Sequence, residues 1–259
     1  MREERVRLTV DGSVAHLRLV RPQAVNAIDL RFGHELKEAA TAAARSGARA
    51  VVLEAEGQMF CGGGDLKGFS AAAALGDHLA DVATALHEGL LALVEVEVPV
   101  VAAVQGAAAG AGLGLVCCAD LVVAGASARF VMAYTGVGLS PDGSTSFFLP
   151  RIVGLRRALE LTFTNRVLSA DEALAWGLVN RVVADAEVNA VAAEVAGALA
   201  GGPTGALARS KRLLREADRH SLAEHLAAEV EALRASGDSA DGREGVAAFV
   251  AKRPARFGA

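Results

Sequence analysis

The chain has 259 residues, 53% of them hydrophobic, which is enough apolar sequence for one substantial core. A net charge of −4, a pI near 5.9 and only 4% aromatic residues argue against a nucleic-acid protein, since there is neither a basic stripe nor a stacking platform. Cys61, Cys117 and Cys118 fit neither a disulfide framework nor a zinc site, and no apolar run free of Gly or charge reaches membrane-spanning length.

The N-terminal Met1-Arg2-Glu3-Glu4-Arg5 is charged and runs straight into a strand, so no signal peptide is expected and the location is read as cytoplasmic. Arg5–Val10 and Val14–Val20 alternate around Asp11-Gly12, a hairpin signal. After the loop Arg21–Ala27, Asp29 is placed to cap a helix that runs to about Arg45 and stops at Ser46-Gly47. Ala50–Leu53 predicts a buried strand, Ala71–Glu95 a long helical stretch interrupted near Gly76-Asp77, and Val100–Val104 and Leu121–Ala124 two more strands. Ser169-Ala170-Asp171-Glu172 opens a helix closed by Gly177, and Arg181–Val183 is a last short strand. Helices follow over about 185–199, 204–217, 221–235 and 243–251. Strands alternating with long crossovers predict an α/β fold with parallel pairing, and Gly201-Gly202-Pro203 divides residues 1–200 from a helical portion over 201–259.

Two glycine-rich segments each lead from an apolar strand into a helix: Met59-Phe60-Cys61-Gly62-Gly63-Gly64-Asp65-Leu66, and Gln105-Gly106 through Gly110-Ala111-Gly112-Leu113-Gly114. Glycine permits close backbone approach, and a helix start offers unpaired N–H groups and a positive dipole end. Two such turns brought together would aim two donors at one oxygen, an oxyanion hole for chemistry passing through an enolate-like state.

These blocks, in order and spacing, resemble the crotonase (enoyl-CoA hydratase/isomerase) superfamily: Arg21-Pro22 with Asn26-Ala27, Phe60 through Leu66, Gly106 through Asp120, and Ser169-Ala170 through Trp176-Gly177-Leu178-Val179. Ala128 through Tyr134, Gly138-Leu139-Ser140-Pro141-Asp142, Leu149-Pro150-Arg151 and Arg243 through Phe249 with Lys252-Arg253 look most like the ring-epoxide and Δ3,Δ2-enoyl-CoA isomerases of phenylacetate degradation. The resemblance implies a spiral ββα core, a C-terminal helical trimerisation region, and trimers that often pair into hexamers. It implies an acyl-CoA substrate and no further cofactor, coenzyme A entering as part of the thioester.

By the same resemblance the oxyanion hole is built from the backbone N–H groups of Gly64 and Ala111. Hydratases of the family use two glutamates; the matching positions here are Gly114 and Tyr134, neither of them a carboxylate. Asp142 stands where the resembling isomerases carry their single acid, and one carboxylate that reaches two carbons can move a proton between them. Pro141-Asp142-Gly143-Ser144 also reads as a β-turn with Pro at its second position. Phe130, Val131, Tyr134, Leu139, Phe147 and Phe148 are expected to line an apolar pocket that raises the Asp142 pKa. CoA is expected along Ala24, Val25 and Ala27, with Gly62, Asp65 and Leu66; Arg21 or Lys67 at phosphates; Tyr134 at the acyl group; and Phe249 and Lys252 reaching a neighbouring subunit's ligand. The six histidines fall in no motif and read as surface residues, and Cys61 as a small structural residue. The favoured activity is acyl-CoA isomerisation; 2-enoyl-CoA hydration by an atypical acid, and acyl-CoA binding without chemistry, stay open.

Overall fold

The computed structural model describes residues 3–258; Met1, Arg2 and Ala259 lie outside them. Strands β1 (Val6–Asp11) and β2 (Val14–Leu19) form the expected antiparallel hairpin, with Asp11 opposite Val14 across the turn. Helix α1 (Leu30–Arg45) starts where Asp29 accepts a hydrogen bond from Phe32 N–H at 2.9 Å. It buries Phe32, Leu36, Ala39, Ala40 and Ala43, a stripe at helical spacing. β3 (Ala50–Ala55) runs parallel to β2, and β4 (Val100–Val104) parallel to β3.

Two helices separate β3 from β4: α2 (Leu66–Ser70) and α3 (Leu75–Val94). This corrects the single stretch expected from Ala71. Asp65 Oδ1 accepts from Gly68 N–H at 3.1 Å and starts a helix earlier, and the break or cap expected near Gly76-Asp77 is the start of α3, with Asp77 in its first turn. β5 (Ala107–Ala109) then leads into α4 (Ala111–Cys118), followed by β6 (Leu121–Gly125) and β7 (Arg129–Val131). The short β5 and β7 were not legible in the sequence; they pair with each other, and β7 pairs on its other side with β8 (Leu168–Ser169), in a three-stranded sheet. Neither were α5 (Thr145–Val153) and α6 (Leu155–Thr164), which are bounded by positive φ at Ser144 and Gly154. α7 (Ala170–Ala175) carries the expected capping box between Ser169 and Glu172, and β9 (Arg181–Val183) closes the larger sheet.

That sheet has the order β1-β2-β3-β4-β6-β9 and is parallel beyond its first pair. Its central strands β3, β4 and β6 are buried on both faces, as expected of parallel strands, while β1 at the edge is largely exposed. Val51, Leu53, Val100, Ala102 and Val104 face the main core with α1 and α3. The alternate residues Ala50, Val52, Val101 and Ala103 pack against Val188, Ala192, Ala196 and Ala200 of α8 (Val188–Ala200). Among the described residues no helix is long and apolar enough to cross a membrane.

The chain ends in α9 (Thr204–Glu216), α10 (Leu222–Gly237) and α11 (Ala240–Val250). No residue of α9 is fully buried, so polar contacts carry its attachment. Lys211 Nζ donates to Val96 O at 2.7 Å and Val98 O at 3.1 Å, and Arg215 to Cys118 O at 2.8 Å. Both cations share Asp120, each at 2.7 Å, and Asp120 also accepts Val100 N–H at 2.8 Å. Asp120→Ala strands two cations in a half-buried site, and we expect urea unfolding to report a loss of about 3 kcal/mol. A loss under about 1 kcal/mol would show that α9 is held by other means.

Candidate active site

The two glycine segments lie side by side. Phe60 N–H donates to Gln105 O at 2.9 Å, Cys61 N–H to Ala107 O at 3.1 Å, and Ala109 N–H back to Cys61 O at 2.9 Å. Helix α4 starts directly after, and all eight of its residues are buried. A Cβ at Gly112 would stand 2.5 Å from Cys61 O, so only glycine lets the helix and the first turn meet backbone to backbone. Gly64 and Ala111 border the same cavity, and neither N–H donates to an acceptor among the described residues. The Ala111 N–H is also at the positive end of α4.

The cavity measures about 120 Å³. Ile28, Phe69, Tyr134, Val137, Leu139 and the α3 residues Leu79, Val82, Ala83 and Leu86 line it, and Asp142 is the one carboxylate among its lining residues. Of the side chains expected there, Tyr134 and Leu139 are present. Phe130 is instead fully buried in the core, Val131 is paired in β7, Phe147 is exposed with Arg151 3.8 Å over its ring, and Phe148 packs beneath Arg215. Much of the apolar wall comes from α3, whose residues carry no motif.

Asp142 is held through its backbone. Its carbonyl accepts from Tyr134 OH and from Thr145 Oγ1, both at 2.8 Å, and from Thr145 N–H at 3.3 Å. The turn is therefore Asp142–Thr145, with positive φ at Gly143 and Ser144, and lies later than the Pro141 reading predicts. Burial and the nearby Asp142 charge push the Tyr134 phenol far above its usual range, so it stays a neutral donor. The turn also rests on α4: a Cβ at Gly114 would stand 1.8 Å from Gly143 O. No side chain of any kind fits at position 114 while the turn keeps this place.

A residue that sequence reading missed completes the site. His87, on α3, places Nε2 2.5 Å from Asp142 Oδ1. Nothing local marks it, since it lies fifty-five positions from Asp142 and is half-exposed on a helix. Only the crossing of α3 over the Asp142 turn joins them.

The remaining expected residues are spread more widely. Val25 is exposed with positive φ, and its carbonyl accepts Gly62 N–H at 2.8 Å. Ala24 ends a short 3-10 turn, and Ala27 is buried. Asn26 is the loop's anchor, donating to Glu56 O, Met59 O and Phe60 O at 3.0–3.1 Å. Leu66 and Lys67 are exposed on α2, and Lys67 makes no ion pair among the described residues. Arg21 is committed elsewhere: it pairs with Asp65 at 3.0 Å and Asp29 at 3.4 Å, which argues against the phosphate role. Burial works to raise the Asp65 pKa, but the Gly68 N–H and Arg21 outweigh it and hold the carboxyl below its ordinary value, as a cap and ion-pair partner. Phe249 and Lys252 are exposed at the end of α11 and border no part of the cavity. Burial pushes the thiols up, Cys61 to about 12 and Cys118 to about 11, so they are inert packing groups. Among the described residues no cluster of side chains is arranged to hold a metal ion.

Residues 9–259 match the family described as enoyl-CoA hydratase/isomerase. The chain belongs to the enoyl-CoA hydratase/isomerase family. It is 40% identical to a Rhodobacter capsulatus protein named "Probable enoyl-CoA hydratase", over 97% of each chain. It is 35% identical to the 1,2-epoxyphenylacetyl-CoA isomerase of Escherichia coli, over 96% of each. A crystal structure of an enoyl-CoA hydratase from Polaromonas sp. JS666 superposes with a TM-score of 0.91 at 36% identity, covering 97% of this chain and 98% of that one. The crotonase fold and an acyl-CoA hydratase/isomerase activity follow from that membership.

Gly114→Glu cannot add a second acid beside Asp142 without displacing the Gly143 carbonyl. We expect this variant to lose about 2 kcal/mol or more in thermal unfolding. An unchanged melting temperature would mean that the turn yields freely.

Proposed function

We infer that the protein is an acyl-CoA isomerase, shifting a double bond or rearranging a ring-derived acyl-CoA through a thioester enolate. The observation that carries this reading is one carboxylate, Asp142, on the same small cavity as the free N–H groups of Gly64 and Ala111. In this scheme the thioester oxygen accepts from both N–H groups. Asp142 removes a proton from one carbon, the electron pair delocalises onto that oxygen, and the carboxyl returns the proton two carbons away. Each backbone donor in such a hole is worth about 3–4 kcal/mol to the transition state. The apolar lining strengthens those hydrogen bonds by excluding water. Hydration needs water activated and a proton delivered, and the lining residues hold no second carboxylate for that division of labour.

In this reading the CoA portion would lie along Ala24, Val25 and Gly62, near Leu66, with the Lys67 ammonium, unpaired among the described residues, at its phosphates; Asp65 supports that surface through its cap on α2. Phe249 and Lys252 belong to this site only through a neighbouring copy. Leu222, Leu226, Val230 and Leu233 form an exposed apolar stripe along α10, and Val246, Phe249 and Val250 extend it on α11. We take residues 201–259 as the surface on which copies meet as a homotrimer or a pair of trimers. Sedimentation is expected to find an oligomer that Leu226→Asp with Leu233→Asp dissociates; a monomeric parent chain would remove this assignment.

Incubation with a 3-enoyl-CoA and, separately, a 2-enoyl-CoA in deuterated water tests the activity. Double-bond migration or deuterium exchange at carbon is expected, and Asp142→Asn should lower it by about 100-fold or more. Hydration that survives the substitution would replace this reading with the hydratase one, and turnover of neither ester would favour an acyl-CoA-binding role.

A further inference from the structure

We propose that His87 is a positioning residue for Asp142: its Nε2–H donates to Oδ1 and holds the carboxylate so that Oδ2 takes the proton from carbon and returns it. The inference rests on Asp142 being the base and names the group that aims it. The main chain of Asp142 is fixed by Tyr134 OH and by Thr145, all at its carbonyl, but those bonds leave the side-chain torsions free. Among the described residues the carboxylate itself has a single partner, His87 Nε2, 2.5 Å from Oδ1. An ionised carboxylate only accepts, so the hydrogen of this contact sits on Nε2. The neutral Nε2–H tautomer and the imidazolium both donate there, and His87 gives up no proton in this role.

The imidazole is half open to solvent, but the helix that carries it is anchored at this point. There α1 crosses α3 backbone on backbone, since a Cβ at Gly33 would stand 2.5 Å from Leu86 N. Leu86 is buried and reaches the turn, its Cδ2 3.5 Å from where a Cβ at Gly143 would stand. Leu86 and His87 thus meet Gly143 and Asp142, neighbours on the helix against neighbours on the turn. With Oδ1 engaged the carboxyl group does not turn over, and the lone pairs of Oδ2 are the uncommitted ones. Oδ2 forms an O–H bond as the first C–H bond breaks, and the same O–H bond breaks when the second carbon is protonated. His87 touches neither carbon. It acts through the direction of the carboxylate, on which the rate of such a transfer depends.

The test compares His87→Leu with His87→Gln, whose amide Nε2–H donates from nearly the same place as the imidazole but cannot titrate. Rates of double-bond migration are measured over a range of 3-enoyl-CoA concentrations. His87→Leu is expected to lower kcat by about tenfold or more with KM within about twofold of the parent, the loss that misdirection of a reacting group brings. His87→Gln should return kcat to within about threefold of the parent, because it restores the donor. Both side chains of the pair are partly exposed, and such pairs contribute little to stability, so both variants should melt within about 3 °C of the parent. A loss of kcat at unchanged stability, recovered by the donor alone, is what a packing role does not give. Parental kcat in His87→Leu would overturn the proposal, and so would a His87→Gln as slow as His87→Leu. Parental migration in Asp142→Asn would instead remove the base, and with it the reading on which the proposal rests.

Discussion

The site depends on one buried helix that accepts backbone against backbone on two of its faces. α4 has no exposed residue, and its glycines replace side chains where other segments must touch it. At Gly112 the first glycine turn lies against it, which sets Gly64 beside the helix start. At Gly114 the Gly143 carbonyl lies against it, which sets Asp142 at the same cavity. The helix start supplies the Ala111 N–H. Donor, donor and acid are therefore positioned by contacts among main-chain atoms, which have few ways to adjust. Close-packed interiors transmit such constraints, since no void absorbs a displaced carbonyl.

The same contacts restrict which side chains the cavity can hold. A turn seated on Gly114 leaves room for one carboxylate and none for a partner at that position. Its carbonyl is tied down by Tyr134 and Thr145, so the Asp142 side chain projects from a rigid base. Around it the lining is mostly apolar, and the N–H groups of Gly64 and Ala111 border the same space. The chamber is not sealed, since the Asp142 side chain is itself partly open to solvent where His87 meets it.

The C-terminal helices are attached by different physics. α9 is tied to the core by Asp120, Lys211 and Arg215 and by carbonyls at the ends of α3 and α4. Burial pulls the Lys211 ammonium below its usual pKa while Asp120 opposes that shift, as expected of an ion pair half removed from water. α10 and α11 leave their apolar stripes uncovered.

Local sequence chemistry determined a good deal by itself. Asp29, Ser169 and Ser221 announce helix starts through hydrogen bonds to residues three positions on, and Asp11-Gly12 announces its hairpin. The two glycine turns were legible for the same reason: the demand for glycine is written at the position that needs it. The family blocks led to Gly64, Ala111 and Asp142, which do border one cavity. The ion pairs of Arg21 were not legible, because its charge is visible in sequence but its partners Asp29 and Asp65 are not. The α3 part of the cavity wall and the His87–Asp142 pair belong wholly to the tertiary structure. Leu79, Val82, Leu86 and His87 look like any turn of an amphipathic helix until α3 is laid across the Asp142 turn. A helix sequence specifies which face is apolar, but what that face meets depends on where the rest of the chain has gone.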